Sequence, residues 1–419
     1  MTAVLRECGD SDPDQLPVAL AWKRLAEAAG VRVGVERVPL AHACGRILAR
    51  ALVAPRDVPA FTNVAVDGFA IRHADLSAFG GLLRLARGRA AAGHPFARPL
   101  APGEAVRVLT GAPLPEGADT VVMEEEAEVL GEQLRLPMRY PRGRGVRPAG
   151  EDIRAGSLVV AAGTRLLPHH LGIAASLGLA ELEVYAPLRV ALFSSGDELV
   201  EVGEPLPRGG LWDVNRPLLR GLLQRLPCRV SDLGILPDRA ERVQAAVAEA
   251  AASHHAILTS GGASRGEEDH LARSLATLGR LYFWRVRMKP GRPLAAGELG
   301  GAAFIALPGN PVAAAVGFAL FARPLLLAIA GAPFAPPRFV ELPAAFSLRR
   351  RAGRAEFLRA RLVRDATGRT AVERILREGS GILTALAEAD GLVHIEETVA
   401  TVEPGDPVPF ASLAELGLG

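Results

Sequence analysis

The sequence predicts a multidomain fold of α/β and β parts, built around a central doubly wound, three-layer α/β domain. Residues 187–334 alternate between short apolar strands and amphipathic helices, which is typical of a mostly parallel sheet covered by helices. Residues 55–140 and 335–419 instead hold short strands separated by Gly- and Pro-rich turns. With 419 residues, of which 49% are hydrophobic, the chain is long enough for several cores.

Four domains are predicted from this pattern. The first helix and a later strand–helix stretch form a discontinuous N-terminal domain, residues 1–54 with 141–186. Residues 55–140 form an inserted mainly-β domain. The α/β domain covers 187–334, and a β-barrel-like C-terminal domain covers 335–419.

Hydrophobic periodicity sets the expected elements outside the α/β domain. The N-terminal domain is predicted to have helices at 14–29, 40–49 and 168–177 and strands at 31–38 and 158–161. Expected strands of the inserted domain are 69–71, 82–85, 105–109, 120–123 and 133–136. Those of the C-terminal domain are 340–346, 356–363, 369–373 and 391–395, with a helix at 380–387, and the segment 399–409 ends the domain.

In the α/β domain four of the predicted strands feed loops at one edge of the sheet. The expected strands are 188–193, 229–236, 255–260, 280–288 and 303–307, and the helices are 215–226, 239–252, 271–278 and 312–330. Asn215 and Asp238 are residue types that cap helices, and each precedes a helical pattern. Ligands of such sheets bind outside the carboxyl ends of the strands, where the loops 194–199, 259–269, 289–293 and 308–312 are placed.

The loop at 259–269 is the strongest local signal. It follows an apolar strand, contains Gly261, Gly262 and Gly266, and ends in acids before a helix. Glycine lets backbone N–H groups approach an anion, and the helix N-terminus favours negative charge. The acids behind the loop indicate a second possibility, that a hard cation such as Mg²⁺ binds here together with a phosphate. A plain strand-to-helix turn with Asp269 as a cap is the alternative.

Composition excludes several classes of protein. The formal net charge is +2, from 48 basic and 46 acidic residues, which argues against a nucleic-acid surface. Three widely spaced cysteines form no CxxC pair, so neither a disulfide framework nor a zinc site is expected. Charges near the N-terminus interrupt any signal-peptide pattern. The apolar stretch 312–330 contains Arg323 and Pro324 and is interpreted as a buried helix, with no membrane span.

Taken together, several motifs resemble the molybdopterin molybdenumtransferase family, which includes MoeA and the gephyrin E domain. Each motif is weak alone, but the ordered set runs along the whole chain and is highly specific. The motifs are Pro59-Ala-Phe, Asp67-Gly-Phe-Ala, Leu109-Thr-Gly-Ala-Pro, Gly150-Glu-Asp-Ile, Ser195-Gly-Asp-Glu-Leu, Asp213-Val-Asn, Ser260-Gly-Gly-Ala-Ser, Met288-Lys-Pro-Gly and Leu307-Pro-Gly-Asn-Pro-Val.

The resemblance implies a cytoplasmic, elongated four-domain homodimer whose cleft lies between the α/β domain of one subunit and the inserted domain of the other. It implies insertion of molybdate into adenylylated molybdopterin, with Mg²⁺ and release of AMP. It also implies that molybdopterin adenylyltransferase and cofactor-receiving proteins are partners. Binding to nucleic acid or to a membrane is not expected.

Residue roles follow only from matching the family motifs. The implied catalytic residues are Asp67, Thr110, Asp152, Glu198, Asp238 and Asp269. The implied metal ligands are Asp67, Glu198 and Asp269. The implied substrate-binding residues are Ser195, Gly196, Asp197, Ser260, Gly261, Gly262, Ser264, Lys289, Arg292, Pro308, Asn310 and Pro311. Because the substrates are anionic, the acids would act through Mg²⁺, which bridges carboxylates and phosphates. For Asp238 a helix cap is an equal alternative.

The sequence departs from the family pattern at Thr62, Val64, Val66, Arg265 and Arg292. At Arg292 the family more often has a second lysine. These departures leave open a binding scaffold that has lost turnover. A nucleotide pyrophosphatase or adenylyltransferase on the same α/β domain is a further alternative, although it would not need the two β domains. Metal binding by adjacent histidine pairs is disfavoured, because neighbouring side chains on a strand point to opposite faces.

Overall fold

A computed structural model describes residues 15–261, 279–365 and 367–419, and a six-stranded sheet lies at the centre of this part of the chain. Its strands are Leu188–Ser195 (β1), Cys228–Leu236 (β2), Ala256–Ser260 (β3), Gly279–Trp284 (β4), Ala295–Leu299 (β5) and Ala302–Leu307 (β6). The spatial order is β2-β1-β3-β6-β5-β4. Strands β2, β1, β3 and β6 are mutually parallel, and β5 is antiparallel to both of its neighbours. The predicted mostly parallel sheet is confirmed.

Helices cover this sheet on both faces, as a doubly wound fold requires. The helices are Asn215–Leu223 (α1), Ala240–Ser253 (α2) and the continuous apolar helix Pro311–Ile329 (α3). Apolar side chains of α1 and α3 join the core on one face of the sheet, and those of α2 join the core on the other. The three-layer α/β architecture is therefore as the sequence predicts. The predicted helix 271–278 lies outside the described residues.

Helix α3 is a core helix. It is long and apolar enough to cross a membrane, but 89% of its apolar window is buried inside the protein. A π-helical turn, Phe318–Ala322, separates two α-helical halves and ends just before Arg323 and Pro324. Proline cannot donate a backbone hydrogen bond, so the wider turn accommodates it without ending the helix.

The predicted strand 280–288 is wrong in its extent, because the chain changes sheets within it. Strand β4 ends at Trp284, and Arg285 has a φ of 82°, which an extended strand does not allow. Beyond this break, Met288–Lys289 pairs in parallel with Ala355–Arg364 of the C-terminal domain. The basic turn that starts at Lys289 therefore lies where the two domains meet.

The N-terminal domain is built from short paired strands and two main helices. Its helices are Val18–Ala28 and Pro168–Ser176. Its strand pairs are Val35–Pro39 with Glu181–Tyr185 and Leu52–Val53 with Leu158–Val160. A further pair, Asn63–Val64 with Val146–Arg147, adds Val64 and Val146 to a core of the inserted domain. The predicted helix 40–49 is wrong. Only Leu40–His42 forms a 3-10 turn, and Gly45 has a φ of 79° that a helix cannot contain.

The inserted domain is a six-stranded sheet over two small cores. Its strands, in spatial order, are Thr120–Met123, Gly68–Ile71, Glu104–Val108, Leu82–Ala90, Gln133–Arg135 and Glu128–Leu130. A short helix, Ala74–Ala78, and a 3-10 turn, Glu124–Glu126, connect them. The predicted strands are all present, and Leu82–Ala90 is longer than expected.

The C-terminal domain is a curved, mainly antiparallel sheet around its own apolar core. Its strands in spatial order are Met288–Lys289, Ala355–Arg364, Gly391–Ile395, Pro407–Ser412 and Val340–Pro343, with Thr370–Arg374 also pairing Ala355–Arg364. A separate pair joins Leu348–Arg349 to Thr401–Val402. The helices are Leu383–Ala387 and Leu413–Leu416. The segment 399–409, which was expected to end the domain, contributes to two strands in two sheets, Thr401–Val402 and Pro407–Ser412.

A buried carboxylate, Glu104, should make the inserted domain sensitive to acid. Its side chain is 2% exposed and pairs with Arg98 at 2.7 Å and with Arg84. The hydrogen bond from Arg98 outweighs the cost of burial and lowers the pKa of Glu104 to about 2. Because the pKa is lowered on folding, the stabilisation is complete above the ordinary pKa of 4.5 and is lost as the pH falls toward 2.

We therefore expect Glu104→Gln to destabilise the protein by about 2 kcal/mol at neutral pH, measured by denaturant unfolding. The difference from wild type should shrink steadily below the ordinary pKa of 4.5. Glu132→Gln, at an exposed ion pair with Arg87, is the matched control and should change little at any pH. An equal penalty for Glu104→Gln at neutral and strongly acidic pH would contradict this assignment.

Candidate functional site

Three strands end side by side at the carboxyl edge of the central sheet. Ser194 of β1 pairs with Ser260 of β3, and Ser260 pairs with Leu307 of β6. The backbone N–H of Gly261 donates to the carbonyl of Leu307 at 3.1 Å. The loops that follow these strands are therefore held together at one site, as the sequence predicts.

Gly261 is required by its surroundings. Its φ is +88°, and a Cβ at this position would lie 2.3 Å from the carbonyl oxygen of Ser195. Only glycine allows the two loop backbones to approach this closely. Gly262, Ser264 and Asp269, which were predicted to continue this site, lie outside the described residues.

Asn215 links the glycine loop to the next loop along the sheet. Its Nδ2 donates to Ser260 Oγ at 2.7 Å and to the carbonyl of Gly309 at 2.6 Å. The prediction that Asn215 caps α1 is wrong. Val214 holds the cap position, while Asn215 is 6% exposed and starts the helix facing the sheet edge. In the described part of the chain, its buried Oδ1 has no hydrogen-bond partner.

The loop after β1 is fixed by Asp238, which follows the neighbouring strand β2. Ser195 Oγ donates to Asp238 Oδ1, and the backbone N–H of Asp238 donates to Asp197 Oδ1 at 3.0 Å. The alternative that Asp238 caps α2 is wrong, since Arg239 holds the cap position without a side-chain bond. The carboxylate of Asp238 therefore positions Ser195, which is 43 residues away in the sequence.

Glu198 lies directly above the start of this loop. A Cβ on Gly196 would lie 2.8 Å from Glu198 Oε2, so the glycine leaves room for the carboxylate. The backbone carbonyl of Glu198 accepts from the N–H of Leu211 at 2.8 Å, within the short parallel pair Leu199–Val200 with Leu211–Trp212. Both Asp197 and Glu198 are exposed and can face a ligand.

Behind this loop, Arg216 connects three acids. It pairs with Asp213 at 3.0 Å, with Asp232 at 2.8 Å and with Glu201. Burial lowers the pKa of Arg216, but the three hydrogen bonds outweigh it and raise the pKa overall. Asp213 is 1% exposed and fully used by Arg216, so it supports the loop and does not face a ligand.

A cavity of about 440 Å³ opens between the Lys289 turn, the Pro308–Pro311 loop and the C-terminal domain. We call it the inner pocket. Predicted site residues that line it are Lys289, Arg292, Pro308 and Asn310, whereas Pro311 begins α3. The C-terminal domain adds Arg354, Arg359 and Arg374 to the lining.

These three arginines were missed from the sequence. Arg359 is 9% exposed and donates to the carbonyls of Arg377 at 2.7 Å and Gly379 at 3.0 Å, which shapes the loop beside the inner pocket. The sequence marks Arg359 only as part of the predicted strand 356–363, and Arg354 lies just before it. No local signal shows that this strand pairs with Met288–Lys289.

Asp67 and Thr110 form a separate cluster on the inserted domain. Thr110 donates to Asp67 Oδ1 from its backbone N–H at 2.7 Å and from its hydroxyl at 2.6 Å. The hydroxyl bond is the largest cause of a lowered pKa for Asp67. The carboxylate is exposed and ionised at neutral pH. Asp152 is also exposed, in a turn whose backbone bonds Val58.

Within residues 15–261, 279–365 and 367–419, no three His, Cys, Asp or Glu side chains are grouped so that they could hold one metal ion. Of the predicted metal ligands, Asp67 lies on the inserted domain, Glu198 lies at the edge of the central sheet, and Asp269 is outside the described residues. The described residues of one chain thus do not form a complete metal site.

Comparison with known proteins matches these parts in order. Residues 16–178 match the MoeA N-terminal region (domain I and II), 191–328 match a probable molybdopterin binding domain, and 341–413 match the MoeA C-terminal region (domain IV). A protein named molybdopterin molybdenumtransferase from Haemophilus influenzae is 36% identical over 90% of this chain and 94% of its own length. The chain belongs to the molybdopterin molybdenumtransferase family.

Two further members support this assignment. A molybdopterin molybdenumtransferase of Synechococcus elongatus is 36% identical over 93% of this chain and 97% of its own length. The crystal structure of a molybdopterin biosynthesis MoeA protein from Pyrococcus horikoshii OT3 is 26% identical and superposes with a TM-score of 0.82, covering 95% of this chain and all of its own. The family fold therefore extends over 95% of the chain.

Proposed function

We propose that this protein inserts molybdate into adenylylated molybdopterin and releases AMP. One observation carries the proposal. Asn215 joins the glycine loop to the Pro308–Pro311 loop, and that second loop lines the basic inner pocket. A cradle suited to phosphate and a pocket suited to a small oxyanion therefore share one edge of the sheet.

The residues divide this work by their chemistry. The hydroxyl of Ser260 accepts from Asn215 and keeps its own hydrogen as a donor to the pyrophosphate, while Asp238 and Leu307 fix Ser195 and Gly261 beside it. Lys289 and Arg292 bring positive charge to the oxyanion. Orienting both anions on one rigid edge places the reacting oxygens close together, which favours transfer.

Mg²⁺ fits the chemistry of the predicted donors. Asp67 is exposed and ionised, and its Oδ1 already takes both hydrogen bonds from Thr110. Glu198 is likewise an exposed carboxylate above Gly196. Oxygen donors of this kind are what Mg²⁺ prefers, and a bound ion would neutralise charge between these acids and the phosphates. Asp67 and Glu198 would hold it, with Asp269 as the third predicted ligand.

The distribution of the predicted site residues over two domains supports a homodimer. Asp67 and Thr110 bond each other on the inserted domain, whereas Glu198 belongs to the α/β domain, and a second subunit would bring the two clusters together. We propose a symmetric dimer whose cleft lies between the inserted domain of one subunit and the α/β domain of its partner. Sedimentation equilibrium should give twice the chain mass of 44.0 kDa.

The pathway position follows from the proposed substrates. An adenylyltransferase must supply the adenylylated pterin, and cofactor-receiving proteins must accept the product, all in the cytoplasm. We propose contacts of this protein with both.

The deciding experiment measures AMP release from adenylylated molybdopterin, with Mg²⁺, in the presence and absence of molybdate. Release that requires molybdate and yields active cofactor is the expected result. Release without molybdate, and with no cofactor formed, would instead identify a pyrophosphatase. Tight binding without release would identify a scaffold, and attention would then turn to Thr62, Val64 and Arg265.

A further inference from the structure

A second basic pocket adjoins the inner pocket on its C-terminal-domain side. Its volume is about 370 Å³, and residues 348–354 form one wall. We call it the outer pocket. Four charged residues line both pockets, so the two cavities are neighbours along one groove: Lys289, Arg354, Arg374 and Glu378.

The outer pocket concentrates positive charge. Six of its lining side chains are basic and two are acidic, which gives a formal +4, whereas the whole chain carries +2. The basic ones are Lys289, Arg349, Arg350, Arg351, Arg354 and Arg374. A concave surface of one sign raises the local concentration of oppositely charged ligands. The pocket is thus suited to an anion.

Buried groups hold its shape. Arg350 and Glu356 have side chains only 6% and 7% exposed, and they form an ion pair at 3.5 Å. Arg350 also donates to the carbonyls of Arg354 at 2.6 Å and of Glu396. Its buried Nε has no hydrogen-bond partner within the described residues. This wall is therefore built around a fixed arginine, while Arg349 and Arg351 are exposed beside it.

Glu378 lies where the two pockets meet. Its Oε2 is 3.4 Å from Lys289 Nζ, and its Oε1 is 3.7 Å from Arg374 Nη1. Its side chain is 56% exposed, so these pairs are weak and exchange readily with solvent. A carboxylate bridging two cations occupies the position that an incoming oxyanion would take.

We infer that the outer pocket collects a tetraoxoanion such as molybdate, and that Glu378 is the displaceable counter-ion it must pass to reach the inner pocket. This rests on the proposed function for the identity of the anion. The outer lining contains no aromatic ring among the described residues, so it offers an adenine base no aromatic stacking surface. A compact oxyanion fits better than a nucleotide.

The test uses the full-length protein and molybdate alone. Molybdate affinity is measured by calorimetry, and the KM for molybdate is measured from AMP release. The double variant Arg349→Gln with Arg351→Gln should lower the molybdate affinity about tenfold and raise the KM for molybdate by the same factor, with kcat unchanged. Glu378→Gln keeps the shape but removes the competing charge, so it should tighten molybdate binding several-fold. Arg364→Gln is the control, because Arg364 donates to the carbonyl of Gly368 and to the hydroxyl of Thr370 within its own hairpin.

The decisive outcome is that molybdate binding becomes weaker in the double arginine variant and tighter in Glu378→Gln, since a merely structural defect would weaken binding in both. Unchanged affinity in the double arginine variant, or weaker binding in Glu378→Gln, would overturn the inference. AMP binding that falls as much as molybdate binding would identify a nucleotide phosphate site instead. Calorimetry without turnover separates the two ideas. If molybdate binds as expected but never triggers AMP release, only the proposed function fails.

Discussion

Gly261→Ala should be among the most damaging single substitutions in the chain. The new Cβ would lie 2.3 Å from the carbonyl oxygen of Ser195, and the residue would keep a φ of +88°. The left-handed conformation alone costs an alanine about 1–2 kcal/mol. The clash is with backbone and not with a flexible side chain, so the two loops must separate. We expect a loss of about 3 kcal/mol or more in the free energy of unfolding.

The same displacement should reduce catalysis. Moving the Ser195 loop away from Gly261 would loosen the contact of Ser195 with Asp238. Small misplacements of positioning groups cost rate steeply, so kcat/KM for AMP release should fall about a hundredfold. Denaturant unfolding and steady-state kinetics measure the two effects separately.

Two glycines serve as matched controls. Gly309 lies in the neighbouring loop, with nothing within 4 Å of a new Cβ and no positive φ, so Gly309→Ala should be nearly neutral. Gly203 has a φ of +98° but open space around it, so Gly203→Ala isolates the conformational cost of about 1–2 kcal/mol. If Gly261→Ala is no worse than Gly203→Ala, the close approach of the two loops is not as described.

Much of this fold could be predicted from local sequence, because burial and periodicity are local signals. The strands β1, β3 and β6 are continuous apolar runs, and their ends bring Ser195, Ser260 and Pro308 to one edge. Parallel order then follows from the strand–helix alternation. The prediction of a site at this edge needed no knowledge of individual contacts.

The side-chain roles could not be predicted in the same way. Asn215 and Asp238 are good capping residues by type, but their partners are Ser260 and Ser195, 45 and 43 residues away in the chain. Capping propensity describes an isolated helix, and a long-range hydrogen bond in a buried edge outweighs it. The motif Asp213-Val-Asn215 was recognised, yet its position gave no indication of the bond from Asn215 to Gly309.

The basic pockets show a second limit. Arg359 lies on the strand Ala355–Arg364, which Arg354 directly precedes, and this strand pairs with Met288–Lys289, more than 60 residues earlier. Nothing local indicates that a strand of the C-terminal domain would meet the turn at Lys289. Sequence alone therefore located the inner anion site on one side only, and the structure supplies the opposite wall.

Asp67→Asn should nearly abolish AMP release while leaving the protein folded. Asparagine keeps the oxygen that accepts both bonds from Thr110, but it removes the charge that would face Mg²⁺. Loss of one charge-stabilising group typically costs a factor of 10²–10³ in kcat, and we expect a loss of about this size. Glu132→Gln, on an exposed strand end of the same domain, is the control and should keep full activity.

A mixed dimer then tests where Asp67 acts. Asp67→Asn and the double variant Lys289→Gln with Arg292→Gln should each be inactive alone. If the cleft joins the inserted domain of one subunit to the α/β domain of the other, each mixed dimer has one site with both defects and one intact site. Random reassociation should therefore restore about a quarter of wild-type AMP release. A site formed within a single chain would give no recovery, because every site would keep one defect. That result would overturn the shared cleft while leaving the role of Asp67 in the reaction intact.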